Sequence, residues 1–329
     1  MDIESAIIQY ALEIEIEMKT NKTLKKVLKN FFNHKEYIKR TDSIGSFNFN
    51  YFVIDFLHLL KCSIRIFTSP TLIKELNKTK KVQNLYKEFN AFVFANGPSL
   101  NKLDFRKVRE FQERMKYKLI CINSFVSHTD ILEILKPDIY VLSDPAFFGY
   151  YDLISEERKK EIITNIKTLD DLNVTIFAPI QFYNRLKIKN QIYYFNDVEF
   201  RWWNKNITNI TKPRSYLSMT GYKALSIACF LGFKKIYIAG FDNNWFKSLQ
   251  VNNNNEIFYA NQHFKKQADS TIVKVKEFEA QNIGELLFSQ SFLFNDLYKF
   301  PKEKIINLDP DSLTDAFSKE HNLDVYKEL

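Results

Sequence analysis

The sequence predicts an α/β fold: a Rossmann-like, mainly parallel sheet with helices on both faces, preceded by an N-terminal helical segment. Two patterns predict this fold. Short apolar runs that stop at polar turn residues recur from residue 91 onward, and helical stretches separate these runs. At 329 residues, with 45% hydrophobic and 26% charged residues, the chain can bury a large core. We expect a helical region over 1–88 and a Rossmann-like domain over 89–329, with a lid around 243–268.

The N-terminal region, residues 1–88, lacks the strand-and-turn pattern of the later chain. Eight basic residues lie within 19–40, where Glu36 is the only acidic residue. An apolar stripe over 24–32 has helical spacing, which fits either a helix on an anionic membrane surface or a basic helix packed on its own domain. Residues 51–67 are too few and too charged to span a bilayer. The first residues do not resemble a signal peptide, so we expect a cytoplasmic protein, with peripheral association at the inner face of the plasma membrane as an alternative.

The run Phe92-Val-Phe-Ala-Asn-Gly-Pro-Ser-Leu100 predicts a buried strand that a turn brings to an end. Gly97 permits backbone conformations that other residues avoid, and Pro98 restricts φ. Such a turn would hold the Asn96 amide and the Ser99 hydroxyl at the carboxyl end of a central strand, where open α/β sheets bind ligands. An ordinary turn between strand and helix is the alternative.

The elements that follow alternate between strands and helices as a doubly wound sheet requires. Residues 196–216 have little periodicity and indicate a long loop or a lid. Further strands are predicted at 119–122, 139–142, 174–178, 191–195, 235–240 and 304–308, the last of them closing the sheet, and helices at 108–115, 128–135, 155–166, 219–231 and 269–298, the last as one long helix or a helix pair.

Four predicted strands end in a polar side chain: Asn96, Asn123, Asp144 and Asp242. In a parallel sheet these side chains converge on one edge. Each residue alone is also a common turn former, but four together favour a binding site. Amides recognise donors and acceptors of a base or sugar, and carboxylates orient hydroxyls or hold a metal ion.

His263 lies in a polar segment beyond the Asn-rich stretch 252–255. A histidine in such a segment can act as a general base near neutral pH. The alternative is a surface histidine without a role. Ser99 lacks the context of a nucleophile elbow, so we expect no hydrolase triad.

Composition and motifs exclude several classes of site. The chain has only 7 Gly and contains neither G-x-G-x-x-G nor a P-loop, which excludes ordinary dinucleotide and P-loop sites. Its three scattered cysteines predict reduced thiols without a metal site or disulfides. The net charge of +8 fits an anionic ligand or an anionic membrane. Nucleic acid is not expected as a partner, because the chain has no RNA-binding motif and no zinc-finger spacing.

Three segments resemble a known superfamily: Phe94-Ala-Asn-Gly-Pro-Ser-Leu100, Ser218-Met-Thr-Gly221 and Leu231-Gly-Phe-Lys-Lys-Ile-Tyr-Ile-Ala-Gly-Phe-Asp242. They are similar to the bacterial sialyltransferases of glycosyltransferase family 42. They also resemble the flagellin-modifying motility accessory factors and the archaeal hydroxymethylpterin pyrophosphokinase-like family. Lys136-Pro-Asp-Ile-Tyr-Val-Leu-Ser-Asp-Pro145 is nearer to the last two groups. The resemblance covers roughly residues 91 to 318.

The sialyltransferase resemblance implies a CMP-activated nonulosonic acid as donor and His263 as the base. Asp144 stands where those enzymes carry Asn. Asn244 occupies the place of one of two tyrosines that stabilise the departing phosphate, and Tyr259 is a loose candidate for the other. These departures leave a different nucleotide or sugar open. The residues expected to bind nucleotide and substrate are Asn96, Gly97, Ser99, Asn123, Asp144, Thr220, Gly221, Asp242, Asn244 and Tyr259.

The expected function is a sialyltransferase-like glycosyltransferase of bacterial surface glycan biosynthesis that works by an inverting displacement. Its partners would be a nucleotide-sugar donor and an acceptor in lipo-oligosaccharide, capsule or glycoprotein, with no cofactor. One alternative is a pyrophosphokinase-like phosphotransferase with Mg²⁺ held by Asp144 and Asp242. The other is a nucleotide-sugar-binding subunit without catalysis. A homo-oligomer also remains open.

Overall fold

The computed structural model of the chain describes residues 49–151, 154–200, 204–215, 217, 219–261, 264, 271–274 and 283–320. The chain divides into two compact units, Met1–Ile54 and Asp55–Leu329. Nearly all of the first unit lies outside the described residues. Every strand that the structure describes lies in the second unit, as does the candidate site.

Helices and strands alternate through most of the second unit. Among the described residues the α-helices are α1 (Phe49–Phe67), which begins in the first unit, α2 (Pro70–Lys80), α3 (Phe105–Arg114), α4 (Thr129–Ile134), α5 (Glu156–Asp171), α6 (Thr220–Leu231) and α7 (Ile283–Leu297). The strands are β1 (Asn90–Phe94), β2 (Tyr117–Ile122), β3 (Ile139–Val141), β4 (Thr175–Pro179), β5 (Ile192–Phe195), β6 (Ile236–Ala239), β7 (Gln250–Val251), β8 (Ile257–Asn261), β9 (Thr271–Lys274), β10 (Ile305–Asn307) and β11 (Ser318–Lys319).

Eight of these strands form one sheet in the order β11-β10-β6-β1-β2-β3-β4-β5. Every neighbouring pair in it is parallel. This confirms the predicted α/β class with a Rossmann-like sheet.

The strands are apolar without alternation because both faces of the sheet are covered. In β1, Phe92 and Phe94 contribute to the core on one face. Ala91 and Val93 contribute to the core on the other. This alternation is what a pleated strand produces. The short uninterrupted run that predicted the strand is therefore explained by two cores.

Helix α2 packs along β5, the last strand of the sheet on that side. Thr79 donates a hydrogen bond from Oγ1 to the carbonyl oxygen of Tyr194, at 2.7 Å. Lys78 donates from Nζ to the carbonyl oxygen of Ile192, at 3.2 Å. Leu72 is buried in the same core as β1. The helix thus covers a strand edge that would otherwise be open to pairing with another chain.

Two expectations about individual elements need correction. Residues 269–298 are not continuously helical, because 271–274 is strand β9 and the helix of this region is α7. β10 does not close the sheet, since β11 pairs with it on the outside. The lid predicted around 243–268 stays a prediction; within it, β7 and β8 pair in an antiparallel sheet that β9 completes. The described part of 196–216 is a long loop, one of the two predicted alternatives, and its Arg214 is fully buried.

The predicted division at residue 88 stays a prediction, although α2, on its N-terminal side, contacts the sheet. None of the helices in the described part of the chain combines the length and apolar character that a membrane crossing requires.

Candidate functional site

The strand order reverses between β1 and β6. From β1 the chain adds β2 to β5 on one side, whereas β6, β10 and β11 lie on the other. Open α/β sheets bind ligands in the crevice outside the carboxyl ends of the strands at such a reversal. Here the crevice is a cavity of about 420 Å³, which is within the usual size of ligand pockets.

The four polar strand-end residues line this one cavity: Asn96, Asn123, Asp144 and Asp242. The register explains the convergence, because Phe94 of β1 lies opposite Cys121 of β2 and Ala239 of β6. Because these residues are aligned across the sheet, the carboxyl ends of the three strands lie side by side. The sequence prediction that these side chains meet at one edge is therefore correct.

The amide oxygen of the Asn96 side chain lacks a hydrogen-bond partner. This atom, Oδ1, is buried. The backbone carbonyl of Asn96 accepts a hydrogen bond from the N–H of Phe264, at 2.8 Å. A buried polar atom without a partner costs about 1–3 kcal/mol. A bound molecule that supplies the missing partner would recover that free energy.

The Asp242 carboxylate is held from behind by Ser99. The Ser99 backbone N–H donates to Oδ1 at 3.0 Å, and its hydroxyl donates to Oδ2 at 2.9 Å. The N–H of Gly240 donates to the same hydroxyl oxygen at 3.1 Å. Ser99 is buried and does not line the cavity, so the structure places it as a support of Asp242.

Glycine is required at position 97 because Asp242 and Gly240 lie too close to it for a side chain. Its φ of −77° is accessible to any residue, so the expectation of a special backbone conformation was wrong. A Cβ atom on Gly97 would lie 2.0 Å from Oδ2 of Asp242 and 2.5 Å from the carbonyl oxygen of Gly240. Only glycine therefore lets the turn after β1 contact the end of β6.

Burial raises the pKa of Asp242 to about 6, and the nearby Asp309 carboxylate acts in the same direction. The hydrogen bonds from Ser99 and the positive charge of Lys102 oppose this rise. A carboxyl group with a pKa near 6 changes charge close to neutral pH. Asp242 therefore has a pKa in the range in which general acids and bases work.

Asn123 is engaged with the protein. Its Nδ2 donates to Oγ1 of Thr220 at 2.9 Å, and its Oδ1 accepts from the N–H of Ser143 at 3.1 Å. Its backbone has a positive φ of 40°, a conformation that asparagine tolerates better than most residues. The amide thus joins the ends of β2 and β3 to the start of α6, and fewer of its donors and acceptors remain for a ligand than the sequence suggested.

The amino end of α6 forms one wall of the cavity through Thr220, Gly221 and Tyr222. A helix amino terminus attracts anions, because its first N–H groups and the helix dipole point toward the ligand. Gly221 packs closely on the strand ends, since an added Cβ atom would lie 3.1 Å from that of Ala95 and 3.0 Å from the Phe241 ring.

Asp144 and the residues after Asp242 complete the lining. Asp144 accepts a hydrogen bond from the N–H of Ala146 at 3.0 Å, and its Oδ2 lies 3.6 Å from Nη2 of Arg158. Asn244 lines the cavity as predicted, but the buried Tyr259 does not.

Sequence reasoning missed three aromatic lining residues, Phe241 beside the predicted Asp242 and two others, Trp245 and Tyr222. Trp245 follows Asp242 by three residues, and its ring lies 5.1 Å from that of Tyr259. Tyr222 lies in the first turn of α6, beside the predicted Gly221. All three are sequence neighbours of predicted site residues, which is the signal that could have identified them.

His263 lies outside the described residues, so its role as a base stays a prediction. Among the described residues, the carboxylates that line the cavity are those of Asp144 and Asp242. Within the part of the chain that the structure describes, no group of three or more His, Cys, Asp or Glu side chains is arranged to hold a metal ion.

A profile of the family described as 6-hydroxymethylpterin diphosphokinase MptE-like matches residues 69–247. The solved sialyltransferase CstII from Campylobacter jejuni, in complex with the substrate analogue CMP-3FNeuAc, is 17% identical to this chain. That match covers 70% of this chain and 85% of the other, with a TM-score of 0.34. The monofunctional alpha-2,3-sialyltransferase Cst-I from the same organism is 17% identical over 70% of this chain and 80% of its own, also with a TM-score of 0.34. No curated protein has a sequence that matches this chain.

Proposed function

The chain belongs to the 6-hydroxymethylpterin diphosphokinase MptE-like family, and on this premise we propose that it is a nucleotide-dependent transferase. Its reaction is the inverting transfer of a nonulosonic acid type of sugar from a CMP-activated donor to a glycan acceptor. One observation carries the proposal: Asn96, whose buried amide oxygen has no hydrogen-bond partner, and the amino end of α6 line the same cavity.

Each wall of the cavity suits a different part of a nucleotide. The amino end of α6 suits the single phosphate of a CMP-linked sugar, because one helix terminus compensates about half an elementary charge. The indole of Trp245 lines the cavity, where we expect a base to stack on it. Asn96 supplies the directional hydrogen bond that selects a base edge or a sugar hydroxyl.

The reaction forms one bond and breaks one bond at the anomeric carbon. The acceptor oxygen attacks from the face opposite the phosphate, so the new C–O bond forms as the bond to the phosphate oxygen breaks. The phosphate leaves with the bonding electron pair, and the N–H groups of α6 stabilise its charge. The acceptor proton passes to a base, for which we propose His263.

A second candidate is the phosphotransfer that the family description names. The observation that favours it is that Asp144 and Asp242 line one cavity, because Mg²⁺ prefers carboxylate oxygens. Bound Mg²⁺ would neutralise the charge of a polyphosphate. The fit is partial, since Arg158 lies beside Asp144 and both oxygens of Asp242 already accept hydrogen bonds from Ser99.

Ligand-induced stabilisation tests the two candidates. A ligand that binds only the folded chain raises the Tm, by an amount that grows with its concentration relative to Kd. We expect CMP to raise the Tm in the absence of Mg²⁺, and UDP, GDP and ATP to have smaller effects. Stabilisation by ATP only with Mg²⁺ would establish the second candidate. No shift with any of these nucleotides would overturn both.

A further inference from the structure

The first two helices expose an unusual concentration of apolar side chains. On α1 the exposed fractions are 57% for Leu57, 46% for Leu60 and 76% for Phe67, and Ile73 of α2 is 36% exposed. The α1 positions are separated by three and seven residues, which places them on one face of a helix. Single exposed apolar residues are ordinary, but a contiguous apolar patch indicates an interaction site.

The opposite side of α1 is anchored on its own unit. Ile66 is buried and shares a core with Leu72 of α2 and with Ile180, which follows β4. Cys62, one turn before Ile66, is half-buried. The helix therefore has one face packed in the core and a second apolar face directed outward.

Positive charge accompanies the outward face. Lys61, Arg65 and Lys74 are exposed, and residues 56–74 contain neither Asp nor Glu. Lys61 follows Leu57 by one helical turn and Arg65 follows Lys61 by another, so the two cations form a stripe beside the apolar residues. We refer to Leu57, Leu60, Lys61, Arg65, Phe67, Ile73 and Lys74 as the basic–apolar surface.

We propose that the basic–apolar surface docks on an anionic membrane, with α1 lying in the interface. A helix that combines an outward apolar face with lysine and arginine binds at the boundary between headgroups and acyl chains. Anionic lipids attract the basic residues. A uniformly basic surface is less suited to a second copy of the chain, because the like charges of two copies would face each other. The proposal is independent of the proposed transferase function.

The basic–apolar surface is a different segment from the apolar stripe at 24–32, for which the sequence indicated a membrane contact. The apolar stripe at 24–32 lies outside the described residues. The basic–apolar surface is carried by α1 and α2, and Lys61 and Arg65 place charges within the apolar sequence of α1. A helix with this mixture of charged and apolar side chains is too polar to span a membrane. The same mixture is typical of a helix that lies in the membrane interface.

The test is co-sedimentation of the full chain with vesicles of phosphatidylcholine alone or mixed with phosphatidylglycerol. We expect binding to the anionic vesicles only, weakening as salt is added. Lys61→Glu/Arg65→Glu should weaken it by at least tenfold. Leu57→Ser/Leu60→Ser/Phe67→Ser should weaken it similarly, by loss of apolar burial. The matched control is Leu287→Ser on α7, where the leucine is 44% exposed, and it should bind like the unaltered chain.

Three results would overturn the proposal: equal binding to neutral vesicles, unchanged binding of both variants, or an equal loss in the Leu287→Ser control. Size-exclusion chromatography with light scattering gives a fourth criterion. If the unaltered chain is a dimer that the serine variant dissociates, the occupant is a second copy and the membrane assignment is wrong. Should the serine variant fail to fold, the charge variant decides the question, because its substitutions are at exposed positions.

Discussion

Asn96 and Asn123 end neighbouring strands and line the same cavity, but their amides differ in what they contact. The Asn96 Oδ1 has no partner, whereas the Asn123 amide bonds to Thr220 and Ser143. We expect Asn96→Ala to weaken nucleotide binding by about 1.5–3 kcal/mol with little change in Tm. Isothermal titration and calorimetric unfolding measure the two quantities.

Asn123→Ala is the matched comparison. It should lower the free energy of unfolding by about 1–3 kcal/mol, because it removes the hydrogen bond to Thr220 and the acceptor of the Ser143 N–H. If Asn96→Ala unfolds the protein while Asn123→Ala does not, the assignment of binding to the first and support to the second is reversed.

Asp242 predicts a pH dependence of stability. Its pKa is about 6 in the folded chain, against ~3.9 for an unperturbed aspartate. Between those values the folded state binds more protons, so the stabilisation is complete below pH ~4 and lost as pH rises through about 6. The full difference is on the order of 3 kcal/mol. Urea unfolding from pH 4 to 7.5 should show this decline, and Asp242→Asn should flatten it. A decline of the same size in the variant would assign it to another group.

His263→Ala tests the proposed base. A positioned base contributes ~10²–10⁴-fold to the rate, so turnover should fall by about that factor while nucleotide affinity stays nearly unchanged. The alkaline rise of the pH–rate profile, expected near the ordinary histidine pKa of ~6.5, should disappear. Because Asp242 titrates in the same range, Asp242→Asn is the necessary control. A rise that survives in His263→Ala and vanishes in Asp242→Asn would make Asp242 the base.

At the scale of elements, the contact between α2 and β5 predicts where the chain can be shortened. Starting the chain near residue 88 removes Leu72 and Thr79 and opens the edge of β5. We expect this form to aggregate or to melt at a lower temperature. A form that starts at residue 69 retains α2 and should keep the oligomeric state of the full chain. Light scattering and Tm measurements on the two forms check this, and a stable monomer from residue 88 would support the predicted domain boundary.

The error over 269–298 shows how local patterns compete. Thr271-Ile-Val-Lys274 is rich in β-branched residues and forms β9, yet it lies ahead of a long helical stretch. Its partner is β8, whose Tyr259 lies opposite Val273. The strand was missed because its four-residue pattern directly precedes a longer helical pattern, and the two were interpreted together as one helical stretch.

For the whole molecule, metal dependence separates the two candidate reactions. If the chain transfers a sugar from a donor with one phosphate, turnover should persist in EDTA, because the α6 terminus suffices to stabilise the leaving group. Phosphotransfer from a polyphosphate would require Mg²⁺. Activity that EDTA abolishes and Mg²⁺ restores would overturn sugar transfer without a metal. The control is EDTA pre-saturated with Mg²⁺.

The sequence by itself determined the kind of sheet and the side chains at its carboxyl edge. Strands buried on both faces must be apolar without interruption, and parallel strands must end on one side, so local composition carries this information. The four polar strand-end residues, Asn96, Asn123, Asp144 and Asp242, were identified in this way.

Only the tertiary structure decided what those side chains contact. The hydroxyl of Ser99 and its partner Asp242 are 143 residues apart, and Asn123 and Thr220 are 97 residues apart. The need for Gly97 likewise arises from Asp242, and not from the conformation of its own turn. Such contacts depend on which strands become neighbours. The order β6-β1-β2 is set by the packing of the whole chain, and the pattern within any one strand does not encode it.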